Sequence, residues 1–191
     1  ILNVDPTTLD PVAQRVYTNL LSGQYTMYAL LSSRRVGDQP GQSHWHYLSQ
    51  WLSLPDGTFI STNKFMPYDA SSYLEITNLV FNGGMPQAGK TMRVHGFNYA
   101  YFPFPTEQSP GAMLPYIQFT PLGQLASGRD EYIPLARGGI LYARDSNGQP
   151  IRQVPDVQEN PPRNSLDAYL HDVIEIDFLT GRAHAERTQM Q

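Results

Sequence analysis

Gly84, Gly89, Lys90 and Thr91 stand at the spacing of a phosphate-binding loop, within the stretch GGMPQAGKT that runs from Gly83 to Thr91. In such a loop, backbone N–H groups between the glycines cradle phosphates, the lysine reaches the terminal ones and the last hydroxyl holds magnesium. The arrangement works only where a helix starts at the lysine. Downstream of Lys90, TMRVHGFNY instead alternates Met92 and Val94 before a run of aromatics around Gly96, which is a strand pattern. Val173–Asp177 (VIEID) imitates the magnesium-holding strand of the same enzymes, but its apolar residues alternate where a doubly buried strand would be continuous. Nucleotide binding through Gly84–Thr91 therefore ranks third among the functional readings, behind a hairpin or loop in which these glycines only reverse the chain.

Other residues could carry chemistry. His44 and His46 share one face of a strand and could form half a metal site, but no third ligand stands at a suitable spacing. Asp130-Glu131 and the pair Glu175/Asp177 could form an acid/base couple, although solvated strand faces commonly carry such charges. Asp145-Ser146-Asn147-Gly148 lacks the further acidic ligands of a calcium loop and reads as a turn. No Gly-x-Ser-x-Gly elbow occurs, and with no cysteine there is neither a thiolate site nor a disulfide. The aromatic group Phe97, Tyr99, Tyr101, Phe102 and Phe104 reads equally as a sugar-binding platform or as core plus an adhesive loop. On these residues no catalytic, cofactor-binding or metal site is assigned.

The elements that must position these groups follow from composition and period. With 191 residues, 40% hydrophobic and 16% charged, the chain can bury a sizeable core and reads as one domain over residues 1–191. A formal charge of -4, with no basic run longer than Arg34-Arg35, excludes a nucleic-acid partner. Asp10 suits an N-cap, Pro11 a first helical position and Gly37 a stop, and Val12, Val16, Leu20, Met27 and Leu31 recur at helical steps. This predicts one long amphipathic helix over residues 10–36 and a β-rich body over 37–191. Most of the 15 glycines and 16 prolines lie beyond residue 80, where short alternating runs predict mostly antiparallel strands separated by turns such as Pro55-Asp56-Gly57, Leu122-Gly123 and Thr180-Gly181. The expected class is α+β, with the helix packed across two antiparallel sheets.

The closing stretch IEIDFLTGRAHAE predicts a hairpin with Thr180-Gly181 at its tip. Phe178 would then pair with Ala183 and Ile176 with Ala185 on a buried face that receives the helix. Asp177 with His184 and Glu175 with Glu186 would form the solvated face, where truncating Glu175 would cost little. Asp177 is expected to accept the N–H groups of the turn, and Gly181 to take positive φ.

A helix followed by a β-rich domain closing on I-x-I-D-x-x-T-G-R resembles the type IV pilin-like proteins. The match is to the minor pseudopilins of the H type in type II secretion, and closer still to the pilin-like family called Verru_Chthon cassette protein D. Ala29–Val36 (ALLSSRRV) is similar to that family's helix end, Leu54–Ser61 (LPDGTFIS) to its Leu-Pro-x-Gly step, Phe119–Gln124 (FTPLGQ) to its Phe-x-Pro-x-Gly step and Ile174–Arg182 to its closing hairpin. The resemblance implies a subunit without chemistry or cofactor, placed in the cell envelope or an extracellular filament. It would pack against other pilin-like subunits through the N-terminal helix, and be anchored by an apolar helix expected upstream of Ile1. The alternative from another class is a β-sandwich that binds carbohydrate or peptide through the aromatic cluster.

Overall fold

The computed structural model describes residues 4–39, 41, 44–66, 72–82, 85–167 and 172–187. In chain order its elements are helix α1 (Pro11–Leu21) and strands β1 (Met27–Tyr28), β2 (Leu31–Ser32), β3 (His46–Tyr47), β4 (Leu52–Ser53), β5 (Thr58–Ile60), β6 (Tyr73–Asn82), β7 (Met85–His95), β8 (Asn98–Pro103), β9 (Gly111–Tyr116), β10 (Glu131–Leu141), β11 (Asp156–Glu159), β12 (Asp172–Ile176) and β13 (Ala183–Arg187). The chain is mostly β, with 42% strand and 11% helix. This corrects the expected α+β architecture: α1 covers 11 residues and does not run over 10–36. No helix among the described residues is long and apolar enough to cross a membrane.

The start of α1 follows from its sequence. Asp10 Oδ1 accepts hydrogen bonds from the N–H groups of Val12 (2.8 Å) and Ala13 (3.0 Å), and Pro11 occupies the first turn, where its missing N–H costs nothing. The helix ends at Leu21, with Ser22 as its C-cap and Gly23 following. Tyr25 takes positive φ (68°) and the N–H groups of Thr26 and Met27 turn back onto Gly23 O, with Met27 lying where a side chain at position 23 would be. Met27, Tyr28 and Leu31, which continue the helical period on paper, are instead ladder residues: Met27 opposes Ser53, Tyr28 opposes Leu52 and Leu31 opposes Tyr47. β-branched and aromatic side chains around a lone glycine favour that outcome over continued helix.

The chain divides into two compact units. The first comprises Ile1–Pro55, Ala100–Leu114 and Ile140–Asp156. Its core gathers Ala13, Tyr17, Leu20 and Leu21 from α1 with Val4, Leu9, Phe104 and Ala112. Val12, expected on the buried stripe, is 67% exposed, because the packed face is centred on Ala13 and Tyr17.

The second unit comprises Asp56–Tyr99, Pro115–Gly139 and Val157–Gln191. Its main sheet has the order β11-β10-β12-β13, with β5 also paired to β10. Tyr132, Pro134 and Ala136 alternate inward along β10, and the register sets Tyr132 opposite Glu175, Pro134 opposite Val173 and Ala136 opposite Phe59. Ile76 of β6 and Met92 and Val94 of β7 join Tyr132 and Val173 in one core. The β6/β7 pair is an antiparallel ladder from Tyr73↔His95 to Asn82↔Met85, with an irregularity between Thr77 and Leu79.

Candidate functional site

The phosphate-loop residues fall on this ladder. Gly89, Lys90 and Thr91 lie inside β7, in the middle of a strand, while Gly83 and Gly84 lie outside the described residues. Since side chains alternate along a strand, Lys90 shares the face of Met92 and Val94, and its ammonium meets the Glu175 carboxylate of β12. The apolar layer of Ile76 and Met92 is thus followed along the hairpin by a polar one, Asn78 and Lys90.

Glu175 is the centre of that polar layer and is 5% exposed. The Tyr132 hydroxyl lies 3.4 Å from Glu175 Oε1, and His184 Nε2 lies 3.3 Å from Glu175 Oε2 and 3.2 Å from Glu186 Oε1. Asn78 Nδ2 donates to the other oxygen of Glu186 at 3.4 Å. Burial works to lower the Lys90 pKa, but the hydrogen bond to Glu175 and the charges around it outweigh that and raise it; burial first and the Glu175 charge second raise the Tyr132 phenol. Glu175, His184 and Glu186 thus form a set of one imidazole and two carboxylates that could hold a cation.

Sequence reasoning places Glu175 on the solvated face, and the structure corrects this. β12 opposes β13 with Ile176↔Ala183, Glu175↔His184 and Ile174↔Ala185, two residues away from the expected pairs. Parity survives the shift, because a slip of two keeps every side chain on its face. The longer turn is closed by Asp177 N–H to Arg182 O and Gly181 N–H to Asp177 O, and Asp177 Oδ1 accepts from Thr180 N–H at 2.7 Å, as expected. The hydrogen bonds from the Thr180 hydroxyl and N–H hold the Asp177 carboxyl below its ordinary pKa. Both faces of β12 carry burial: Val173 (0%) and Glu175 on one, Ile176 (7%) on the other. The helix belongs to the first unit, with the cluster of Ala13, Tyr17, Leu20 and Leu21, and this hairpin to the second, where Val173 joins Ile76, Met92, Val94 and Tyr132.

The remaining candidates are distributed. His46 bridges two carboxylates through different ring nitrogens, Nδ1 to Glu107 at 2.8 Å and Nε2 to Asp38 at 3.4 Å, while His44 is exposed. These two carboxylates lie on opposite sides of the ring, so they do not converge with it on a single ion. Asp130 Oδ1 accepts from Phe178 N–H at 3.0 Å, a structural bond, while Glu131 is buried against Lys64. Asp145 Oδ1 accepts from the N–H groups of Asn147 and Gln149, both at 2.8 Å, forming the expected turn. Of the aromatic group, Phe97, Phe102 and Phe104 are core, whereas Tyr101 is 67% exposed. A small recess of about 100 Å³ beside Asn98, Tyr116, Gln118, Ser127 and Glu131 has room for a few water molecules. Neither Lys64 nor the polar layer around Glu175 is singled out by the sequence reading; the available signal is the parity that puts Lys90 in line with Met92 and Val94.

The motif turns interlock. Gly123 (φ 81°) closes the FTPLGQ turn, with Thr120 N–H to Gln124 O at 2.7 Å, and Leu125 N–H donates to Phe178 O at 2.9 Å. A Cβ on Gly181 would overlap Gly123 O and press on Phe119, so the tip of the closing hairpin sits directly on the FTPLGQ turn. Gly181→Val should therefore cost about 2–3 kcal/mol, from a β-branched residue at φ 62° and from the overlap together. A urea midpoint within error of wild type would show that this contact is not made. Comparison with protein-family models, with curated proteins and with solved structures finds no match to this chain.

Proposed function

We propose that this chain is a non-enzymatic, pilin-like subunit of a type II secretion or type IV pilus-like envelope assembly, acting through partner contacts. The observation that supports the reading is that the FTPLGQ turn and the closing TGR tip meet in the second unit, which also holds Gly57–Ser61; Ala29–Val36, expected as the helix end, instead contains strand β2. Gly57–Ser61 of the LPDGTFIS step pairs with β10, with Gly138 N–H to Gly57 O at 3.0 Å and Ser61 N–H to Pro134 O at 2.9 Å. The FTPLGQ turn and the closing TGR tip then pack on one another. Chance matches spaced widely along a chain have no reason to interlock, whereas turn signals of a shared fold do.

The reading is revised in one respect. α1 spends its apolar face inside its own unit, and Asp10 is extended (φ -66°, ψ 163°), so a preceding helix would be a separate element and not a continuation of α1. The reading frame upstream of Ile1 should encode roughly 20 apolar residues behind a short basic leader, and the tagged full-length protein should fractionate with inner membrane or sheared filaments. An ordinary signal peptide or a soluble domain upstream, with the protein outside both fractions, would sink this proposal in favour of a β-rich binding module.

A further inference from the structure

We infer that Glu175, His184 and Glu186 form a zinc-class divalent-cation site for which the Lys90 ammonium is the resident competitor. This is independent of the envelope reading. Two carboxylates, from adjacent strands, converge on the same imidazole nitrogen, at 3.3 Å for Glu175 and 3.2 Å for Glu186. Metal–ligand bonds of roughly 2.0–2.1 Å in a tetrahedron place ligand atoms about 3.3 Å apart, so the two nitrogen–oxygen edges already have the length that zinc requires. The ligands are also held. Glu175 is 95% removed from solvent on the core face of β12 and lies opposite His184 in the ladder, while Asn78 fixes Glu186 from β6. Three protein ligands leave a fourth position to solvent, and a mixed imidazole and carboxylate set suits zinc better than magnesium or calcium, which take more oxygens. Lys90 supplies the opposing charge when no metal is bound. Its side chain is 45% exposed and sits on a four-carbon stem, so it can swing to solvent and release Glu175 to the ion. Two carboxylates then neutralise one divalent cation.

Zinc chloride titrated calorimetrically into the full chain tests this. Wild type should bind with micromolar affinity and Lys90→Met at least about tenfold more tightly, because the competing ammonium is gone. His184→Gln, at a half-exposed strand position that tolerates the change, should bind at least about tenfold more weakly. His46→Gln, remote in the chain and bound to other carboxylates, should leave the affinity unchanged. Zinc should also raise the melting temperature of Lys90→Met by more than that of wild type. Binding that survives His184→Gln unchanged, or no zinc response in either wild type or Lys90→Met, overturns the site.

Discussion

Truncating one member of the Lys64–Glu131 pair, by Lys64→Ala or Glu131→Ala, is expected to cost about 3–5 kcal/mol in urea melts, whereas Lys64→Met with Glu131→Leu should be near neutral or stabilising. Lys64 is 0% and Glu131 7% exposed, and the ammonium donates to Glu131 Oε2 at 2.7 Å and to His95 O at 2.8 Å while lying 5.1 Å from the Phe97 ring centre. With so little of either side chain exposed, the partner left behind keeps much of its desolvation cost; removing both charges removes that cost as well. The pH dependence has a definite sign. Burial, against the opposing pull of Glu131, holds the Lys64 pKa below its ordinary 10.5. Between the lowered folded value and 10.5 the unfolded chain binds more protons, so this group's contribution to stability rises with pH in that window. In Glu131→Gln the pull of the carboxylate is lost and the window opens at lower pH. A double variant as damaged as the singles would mean that the pair is not desolvated.

The turns of this protein are legible in its sequence, and the extent of its helix is not. Gly57, Gly123, Gly148 and Gly181 sit in turn-forming strings and all adopt positive φ, a conformation that glycine reaches without steric cost. Asp10-Pro11 marks the start of α1 because a cap and a fixed φ are local properties. The end at Leu21 depends on a competition: a lone glycine lowers helix stability by only about 1 kcal/mol, and what decides is that Met27, Tyr28 and Leu31 find strand partners from residues 46–53, which no local window contains.

The polar layer around Glu175 is hidden for a related reason. Val173, Ile174 and Ile176 put apolar residues on both faces of β12, so alternation alone does not say which face carries Glu175 into the core. Only the packing of β7 resolves it, since Lys90, Met92 and Val94 share a face and must meet the Val173/Glu175 side together. Lys64 is less visible still. It lies in the short turn of 3-10 helix Thr62–Phe65, where no periodicity marks a residue as buried.

Phe104→Ala should likewise cost about 3–5 kcal/mol, and it tests the first unit by itself. The ring is 2% exposed and meets Tyr17 edge-on at 6.1 Å and Trp51 at 5.6 Å between centroids, in a cluster with Ala13, Leu20 and Ala112. The chain around it is pinned by the Tyr47 hydroxyl to Pro103 O at 2.7 Å and by Trp51 Nε1 to Pro105 O at 3.0 Å. With the flanking backbone fixed, the cavity cannot readily collapse, and the cost stays near the upper part of the range for lost aromatic burial. Both tryptophans, Trp45 and Trp51, lie in this unit, so their fluorescence reports its unfolding directly. Tyr101→Ala, in the same aromatic run but 67% exposed, is the matched control and should stay within about 0.5 kcal/mol. If the fluorescence midpoint of Tyr101→Ala falls as far as that of Phe104→Ala, the aromatic run is not divided into core and surface as described.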